Sequence, residues 1–332
     1  MLLRFTQTGV RLAGFGHYLP ETVLTNQELI ERGQLPIDDA WIRRRIGVAQ
    51  RHVVSEHEST SDMALAAARH ALQAAGTSAD ELDLIVLSTI SPDHTNPATA
   101  CAVQAGLNIF GCPAFDLSAA CSGFLYALDT GARHILTGAR KVLVISAEVR
   151  SRFVNPRDPA TAAIFGDAAA AVVLEPGPVE QGLLGLQIMA DGRGYYSVHI
   201  PAGGARKPAS HETVENAEHF IRMDNGERIF FEVVEGMTQH TQRFLADLNL
   251  SLDQIDFVIP HQANLNILKE VGRRLQIPSE KMLINIQDVG NTSSASIPLA
   301  LSHFRSQIPS GSKVLMVAVG AGHTMGLGVL QL

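Results

Sequence analysis

Short, unbroken apolar runs punctuate the chain. Leu84-Ile85-Val86-Leu87, Val142-Leu143-Val144-Ile145, Phe257-Val258-Ile259 and Val314-Leu315-Met316-Val317 contain no polar residue. A strand with one wet face alternates polar and apolar positions, so a continuous run fits a strand covered on both faces. Amphipathic stretches at 63–75 and 238–248 predict helices that lead through short acidic turns into strands. Helices of small residues follow. This alternation predicts an α/β protein with a mostly parallel sheet, and sites in such sheets lie off the carboxyl ends of the strands.

The pattern occurs twice. Ala79-Asp80-Glu81-Leu82-Asp83-Leu84-Ile85-Val86 resembles Leu252-Asp253-Gln254-Ile255-Asp256-Phe257-Val258-Ile259, an offset of 173 residues. Gly138-Ala139-Arg140-Lys141-Val142-Leu143 resembles Gly311-Ser312-Lys313-Val314-Leu315 at 173 from the glycines and 172 from the lysines, and Ala127-Leu128 matches Ala300-Leu301 at 173. A shared offset of about half the chain indicates a duplicated unit. Glu175-Pro176-Gly177-Pro178 is the best boundary, which gives halves of 1–177 and 178–332. The polar stretch 203–225 reads as a surface excursion placed to cover a site.

Composition narrows the class. The 332 residues are 46% hydrophobic and 18% charged, too apolar for a disordered chain and long enough for two average domains or one large one. No run approaches a membrane span, and residues 1–14 lack the apolar core of a signal peptide, so a soluble cytoplasmic protein is expected. The net charge of −7 argues against bulk binding of nucleic acid, while leaving room for a local basic patch. Three cysteines without a C-x-x-C spacing argue against a disulfide framework or a zinc cage, and fit a reducing compartment.

Among those cysteines, Cys121 has the most suggestive context. In Phe115-Asp116-Leu117-Ser118-Ala119-Ala120-Cys121-Ser122-Gly123-Phe124 a strand passes into a helix. A helix N-terminus stabilises a thiolate, and the small neighbours leave room for an acyl group. A buried structural thiol is the competing reading, and it is the stronger one for Cys101 and Cys112. Of 13 histidines, His261 is best placed, at the end of an apolar run in Pro260-His261-Gln262-Ala263-Asn264; His94 and His323 rival it on position. Asn291, in Gly290-Asn291-Thr292-Ser293-Ser294-Ala295-Ser296, has an amide suited to a developing oxyanion and equally to capping a helix. Gly320-Ala321-Gly322 ends the last buried run and offers backbone N–H groups.

Cys121, His261 and Asn291 in these contexts resemble the Cys-His-Asn triad of the β-ketoacyl-[acyl-carrier-protein] synthase III family. Trp41-Ile42, Arg45-Ile46-Gly47, 111–116, Phe165-Gly166-Asp167 and Gly320-Ala321-Gly322 extend the resemblance over nearly the whole chain. It implies a thiolase-like fold, with duplicated α/β halves layered αβαβα, and usually a homodimer. It implies that Cys121 takes an acyl group from acyl-CoA, with Cys121, Gly320, Ala321 and Gly322 forming the oxyanion hole. His261 and Asn291 then assist decarboxylative condensation with malonyl-carrier protein. No metal or redox cofactor, nucleic acid or membrane is implied.

The resemblance further places Trp41, Arg45, Asn264, Asn96 and Phe230 at substrate and CoA positions, and suggests Arg273 and Arg274 for docking an acidic carrier protein. Asn291 separates the chain from Cys-His-His elongating synthases, and the absence of a cysteine after Cys121 separates it from thiolases. Three positions depart from the family pattern: Asn266 replaces an arginine, Asn96 an aromatic residue and Ile46 a threonine. They point to an unusual acyl pocket or donor. Acyl transfer to another acceptor, or a specialised condensation, is the alternative; a silent scaffold is a third reading.

Overall fold

The computed structural model describes residues 2–5 and 9–332. Two five-stranded sheets face each other across a central pair of helices. In spatial order the first contains Gly9–Tyr18, Ala168–Gly177, Val142–Glu148, Leu84–Ser88 and Ala114–Leu117. The second contains Leu2–Arg4, Gly182–Ala190, Thr324–Gln331, Lys313–Gly320 and Phe257–Pro260. All four predicted apolar runs are strands.

The expectation of mostly parallel sheets is corrected. Leu84–Ser88 is parallel to both of its neighbours, and Phe257–Pro260 is parallel to Lys313–Gly320, but every other pairing in the two sheets is antiparallel. A strand covered on both faces is apolar whichever way its neighbour runs, so the pattern carried no directional information.

The duplication is visible element by element. The single turns Ala79–Glu81 and Leu252–Gln254, the strands beginning at Leu84 and Phe257, and the helices beginning at Gly123 and Ser296 each start 173 residues apart. The opening strand Leu2–Arg4 pairs with Gly182–Ala190, so the first residues of the chain complete the sheet of the second half.

Packing sets the layers. Phe124, Leu125 and Leu128 of helix Gly123–Leu136, with Ile297, Ala300 and Leu301 of helix Ser296–His303, fill the space between Val144 and Val172 of one sheet and Met316 and Leu330 of the other. Truncating one of the leucines to alanine would cost about 2–5 kcal/mol. Helix Thr60–Ala75 covers the outer face of the first sheet with a stripe of Ala64, Ala67, Ala68 and Ala71. The small stripe lets the backbone of Gly16 approach so closely that a Cβ there would lie 2.3 Å from the Ala71 nitrogen. Helices Gly226–Asp247 and Leu265–Leu275 cover the second sheet through Val234, Phe244, Ile267 and Val271. The result is five layers, αβαβα, with the start of both central helices directed toward one region.

Candidate active site

The position of Cys121, the candidate nucleophile, follows from a forced turn. After strand Ala114–Leu117 the chain enters a single turn, Ala120–Ser122, and then helix Gly123–Leu136. Ala120 sits at φ 48°, left-handed backbone that costs an L-residue about 1–2 kcal/mol. Two hydrogen bonds hold it: Ser122 Oγ donates to Thr324 O and Thr324 Oγ1 donates to Ala119 O, each at 2.9 Å. Gly320 fits against this turn because it lacks a side chain; a Cβ would lie 2.7 Å from Cys121 N.

Loss of water around the Cys121 sulfur pushes the thiol up to about 11. The Ser293 hydroxyl 3.7 Å away, the Arg150 charge and the Cys121 N–H all oppose that rise. The expected lowering by the helix N-terminus is therefore outweighed by burial.

His261 follows strand Phe257–Pro260 and extends its ladder, donating its N–H to Val317 O at 2.8 Å. The ring is buried, which pulls it down to about 3 and keeps the imidazole neutral. Its Nδ1 lies 2.7 Å from Ser296 Oγ, which also receives the Gln262 N–H at 3.4 Å. Among the described residues the Ser296 hydroxyl has no other acceptor, so it donates its hydrogen bond to Nδ1 of His261. That bond fixes the tautomer with the proton on Nε2.

Asn291 is pinned at both ends of its peptide: its N–H donates to Ile164 O at 2.9 Å and its carbonyl accepts the Gly166 N–H at 3.1 Å. Its Oδ1 accepts the Ser293 N–H at 2.9 Å. The carboxamide oxygen thus caps the turn Ser293–Ala295, and the NH2 group is left to donate. Capping and donation, alternatives in the sequence, coexist.

Cys121, His261 and Asn291 line one cavity of about 360 Å3. Trp41, Arg45, Asn264, Phe230, Gly320, Ala321 and His323 line it too. Its mouth is a clasp between helices Asp39–Arg45 and Leu265–Leu275. Asn264 and Asn266 each donate to Arg45 O at 3.0 Å, and Asn266 also donates to Arg44 O at 3.0 Å. Asn266 therefore ties down the carbonyl end of the helix that carries Trp41. The excursion at 203–225 does cover the site, contributing Ile221 and Met223 to the wall.

Other expected residues lie elsewhere. Asn96 and His94 are exposed and outside the cavity, and Gly322, at φ 75°, turns the chain behind it. Arg273 and Arg274 are not free cations: Glu270 holds both at 2.8 Å, and Glu235 also holds Arg274 at 2.8 Å. His323 pairs with Glu232 at 3.3 Å.

Sequence reading missed Ser293, Ser296, Glu148 and Arg150. Glu148 accepts from Ser294 Oγ at 2.7 Å, Ser91 Oγ at 2.8 Å and Ile90 N at 3.2 Å, joining the two halves beside the cavity. The available signal was two charged residues, Glu148 at the end of a buried central strand and Arg150 two residues beyond it.

Known proteins place this geometry in a family. Family models described as 3-oxoacyl-[acyl-carrier-protein] synthase III and its C-terminal region match residues 115–192 and 245–332. The chain is 42% identical over 320 residues to β-ketoacyl-[acyl-carrier-protein] synthase III of Syntrophomonas wolfei, covering 96% of each chain. It is 43% identical over 324 residues to synthase III 3 of Streptomyces coelicolor, covering 96% of each. The crystal structure of 3-oxoacyl-[acyl-carrier-protein] synthase III from Aquifex aeolicus superposes with a TM-score of 0.89 at 39% identity, over 98% of this chain and 100% of that one. The priming β-ketosynthase of the R1128 polyketide pathway superposes with a TM-score of 0.88 at 30% identity, over 99% and 98%. With identity of this order over nearly its full length, and with Cys121, His261 and Asn291 lining one cavity, the chain belongs to the β-ketoacyl-[acyl-carrier-protein] synthase III family of thiolase-fold condensing enzymes.

Proposed function

We propose that Cys121 is acylated by an acyl-CoA and that the acyl group is then condensed with a malonyl thioester on an acyl carrier protein. The observation that carries this reading is the convergence of the Cys121 thiol, the His261 Nε2–H and the Asn291 NH2 on one cavity. In the first half-reaction the Cys121 sulfur attacks the thioester carbonyl. A carbon–sulfur bond to the enzyme forms, the bond to CoA breaks, and the thiol proton leaves with CoA. The Cys121 N–H and the backbone at Gly320, which approach each other closely, would hold the tetrahedral oxyanion.

In the second half-reaction, His261 and Asn291 donate to the malonyl thioester oxygen. The bond to the carboxylate carbon breaks, CO2 departs, and the electron pair becomes an enolate whose charge collects on that oxygen. Two neutral donors suit this step, since they are aimed at charge that appears only as CO2 leaves. The enolate carbon attacks the acyl-cysteine carbonyl, the Cys121 sulfur departs as thiolate, and one proton from solvent restores the thiol. The products are a 3-ketoacyl thioester, CoA and CO2, and no redox step occurs.

Trp41, Arg45, Asn264 and Phe230 would hold the pantetheine and nucleotide ends of the donor along the mouth. An acidic carrier protein would meet Arg44, Arg45 and Lys269, which are exposed and make no ion pair among the described residues. Arg273 and Arg274 are already neutralised by Glu270 and Glu235. A cytoplasmic homodimer with functional halves 1–177 and 178–332 completes the reading. Among the described residues no helix is long and apolar enough to cross a membrane.

The deciding experiment incubates the enzyme with acyl-CoA and malonyl-carrier protein and follows 3-ketoacyl product by mass spectrometry. Cys121→Ala should abolish it, and undiminished product would sink the proposal. His261→Ala and Asn291→Ala should still acylate Cys121 while losing about 10²–10³ in the rate of decarboxylation; equal loss in both half-reactions would overturn the roles assigned.

A further inference from the structure

Arg150 is a buried cation whose hydrogen-bonding capacity is largely unused. It is 1% exposed, and its Nε and Nη1 are enclosed without a hydrogen bond. Among the described residues its guanidinium makes no ion pair. Buried guanidinium groups are normally paired, because removing the charge from water is costly without compensation. Glu148, two residues earlier, feels the Arg150 charge, but its hydrogen bonds go to Ser91, Ser294 and the Ile90 N–H rather than to the guanidinium. What holds Arg150 in place is its surroundings: the rings of Phe153 and Phe165 lie 5.6 and 5.3 Å from its guanidinium carbon, and its own N–H donates to Asp167 at 2.6 Å.

Arg150 also lines the cavity that contains Cys121. Arg45, by contrast, is exposed at the mouth, where a nucleotide would lie. The lining of that cavity includes the apolar side chains of Ile90, Ile164, Phe165 and Val198. An apolar sleeve with a nucleophile and an unpaired guanidinium fits a short methylene chain that ends in a carboxylate, since the planar fork of arginine matches that group in two hydrogen bonds.

We propose that Arg150 is a specificity-determining residue that binds the terminal carboxylate of the acyl donor, so that Cys121 is acylated preferentially by a short dicarboxylic acyl-CoA. The inference rests on the condensing reading above. The malonyl carboxylate is a poorer occupant, because a guanidinium clamped on it would stabilise the charge that must leave it during loss of CO2.

The test measures acylation of Cys121 by intact-protein mass spectrometry with matched pairs: succinyl-CoA against butyryl-CoA and glutaryl-CoA against valeryl-CoA. The wild-type enzyme should prefer at least one dicarboxylic donor by about a hundredfold. Arg150→Met should bring that ratio to about one, and Arg150→Lys should retain part of it. The ratio is the readout because removing the charge also affects the thiol, equally for every donor. Wild-type selectivity decides the matter even where a variant fails to fold. Equal or faster loading of the uncharged donors by the wild type would overturn the inference and leave the condensing function intact. An unchanged ratio in a folded Arg150→Met variant, or a weakened KM for malonyl-carrier protein as its sole effect, would also overturn it. Failure of every thioester to acylate Cys121 would instead defeat the condensing reading itself.

Discussion

Ser293 Oγ lies 3.7 Å from Cys121 Sγ, and Ser293 is itself the counterpart, 173 residues later, of Ala120. Both hold the same left-handed backbone, φ 48° and 51°. The duplicated turn that presents the Cys121 thiol in the first half presents, in the second, the Ser293 hydroxyl beside it. That hydroxyl opposes the effect of burial on the thiol. Ser293→Ala should therefore slow alkylation of Cys121 by iodoacetamide about tenfold at pH 8, with a stability cost of about 1 kcal/mol. Alkylation kinetics and a thermal melt check both, and an unchanged rate would remove Ser293 from the site's electrostatics.

The pH dependence of that reaction follows from the two central groups. The free thiol lies at about 11 and the neutral imidazole at about 3. The thiolate fraction then rises with pH throughout the neutral range. Alkylation of Cys121 should climb about tenfold per pH unit from 7 to 9, without an inflection near 6.5. Because Cys101 is exposed, the rate must be read on the Cys121 peptide. A plateau reached by pH 7 would indicate a resting thiolate–imidazolium pair and contradict the burial argument.

Ser296 sets which nitrogen of His261 carries the proton. With Ser296→Ala, Nδ1 loses its only side-chain partner and the tautomer that donates through Nε2 is no longer enforced. Decarboxylation of malonyl-carrier protein should fall about tenfold while acylation of Cys121 is unaffected, and Ser296→Thr should restore it. Separate assays of CO2 release and acyl loading distinguish this from general damage, which would slow both.

The parts of this molecule legible in the sequence are those with a repeated or context-bearing pattern. The four apolar runs gave their strands because burial on both faces removes polar residues. The offset of 173 survived because each half builds the same layers. His261 stands at a strand end, where a polar residue after an apolar run is conspicuous, and Cys121 stands among small residues where a strand passes into a helix. Ser293 and Ser296 were hidden in a run of small polar residues whose members look alike until the backbone separates them. The pairing of Glu270 with Arg273 and Arg274 was readable from its three- and four-residue spacing, whereas the contact from Glu235 depends on two helices meeting. Strand direction was not legible at all.

The clasp at the cavity mouth separates binding from chemistry. Asn266 donates to the last carbonyls of the helix that carries Trp41 and Arg45. Asn266→Ala should let that helix end fray, raising KM for acyl-CoA several-fold with kcat changed less than twofold, roughly as expected when only uniform binding is lost. Steady-state kinetics on acyl-CoA tests it; a fall in kcat with unchanged KM would place Asn266 nearer the chemistry than the geometry does.

Gly320 is a position beside Cys121 where one methyl group should matter. A Cβ there would lie 2.7 Å from both Cys121 N and Thr324 Oγ1, and Thr324 is the residue that holds the nucleophile turn to the second half. Cys121 N is backbone and Thr324 Oγ1 is held by its bond to Ala119 O, so Gly320→Ala should displace the backbone proposed to hold the oxyanion. Overpacking of this kind costs about 1–3 kcal/mol, and loss of one aligned oxyanion donor costs about 10²–10³ in rate. Acylation should therefore collapse in a protein that still folds, as seen by rapid-quench mass spectrometry alongside a thermal melt. Gly204→Ala, where a Cβ meets nothing within 4 Å, is the control and should leave both measurements unchanged. Near-normal acylation in Gly320→Ala would show that the oxyanion is held elsewhere.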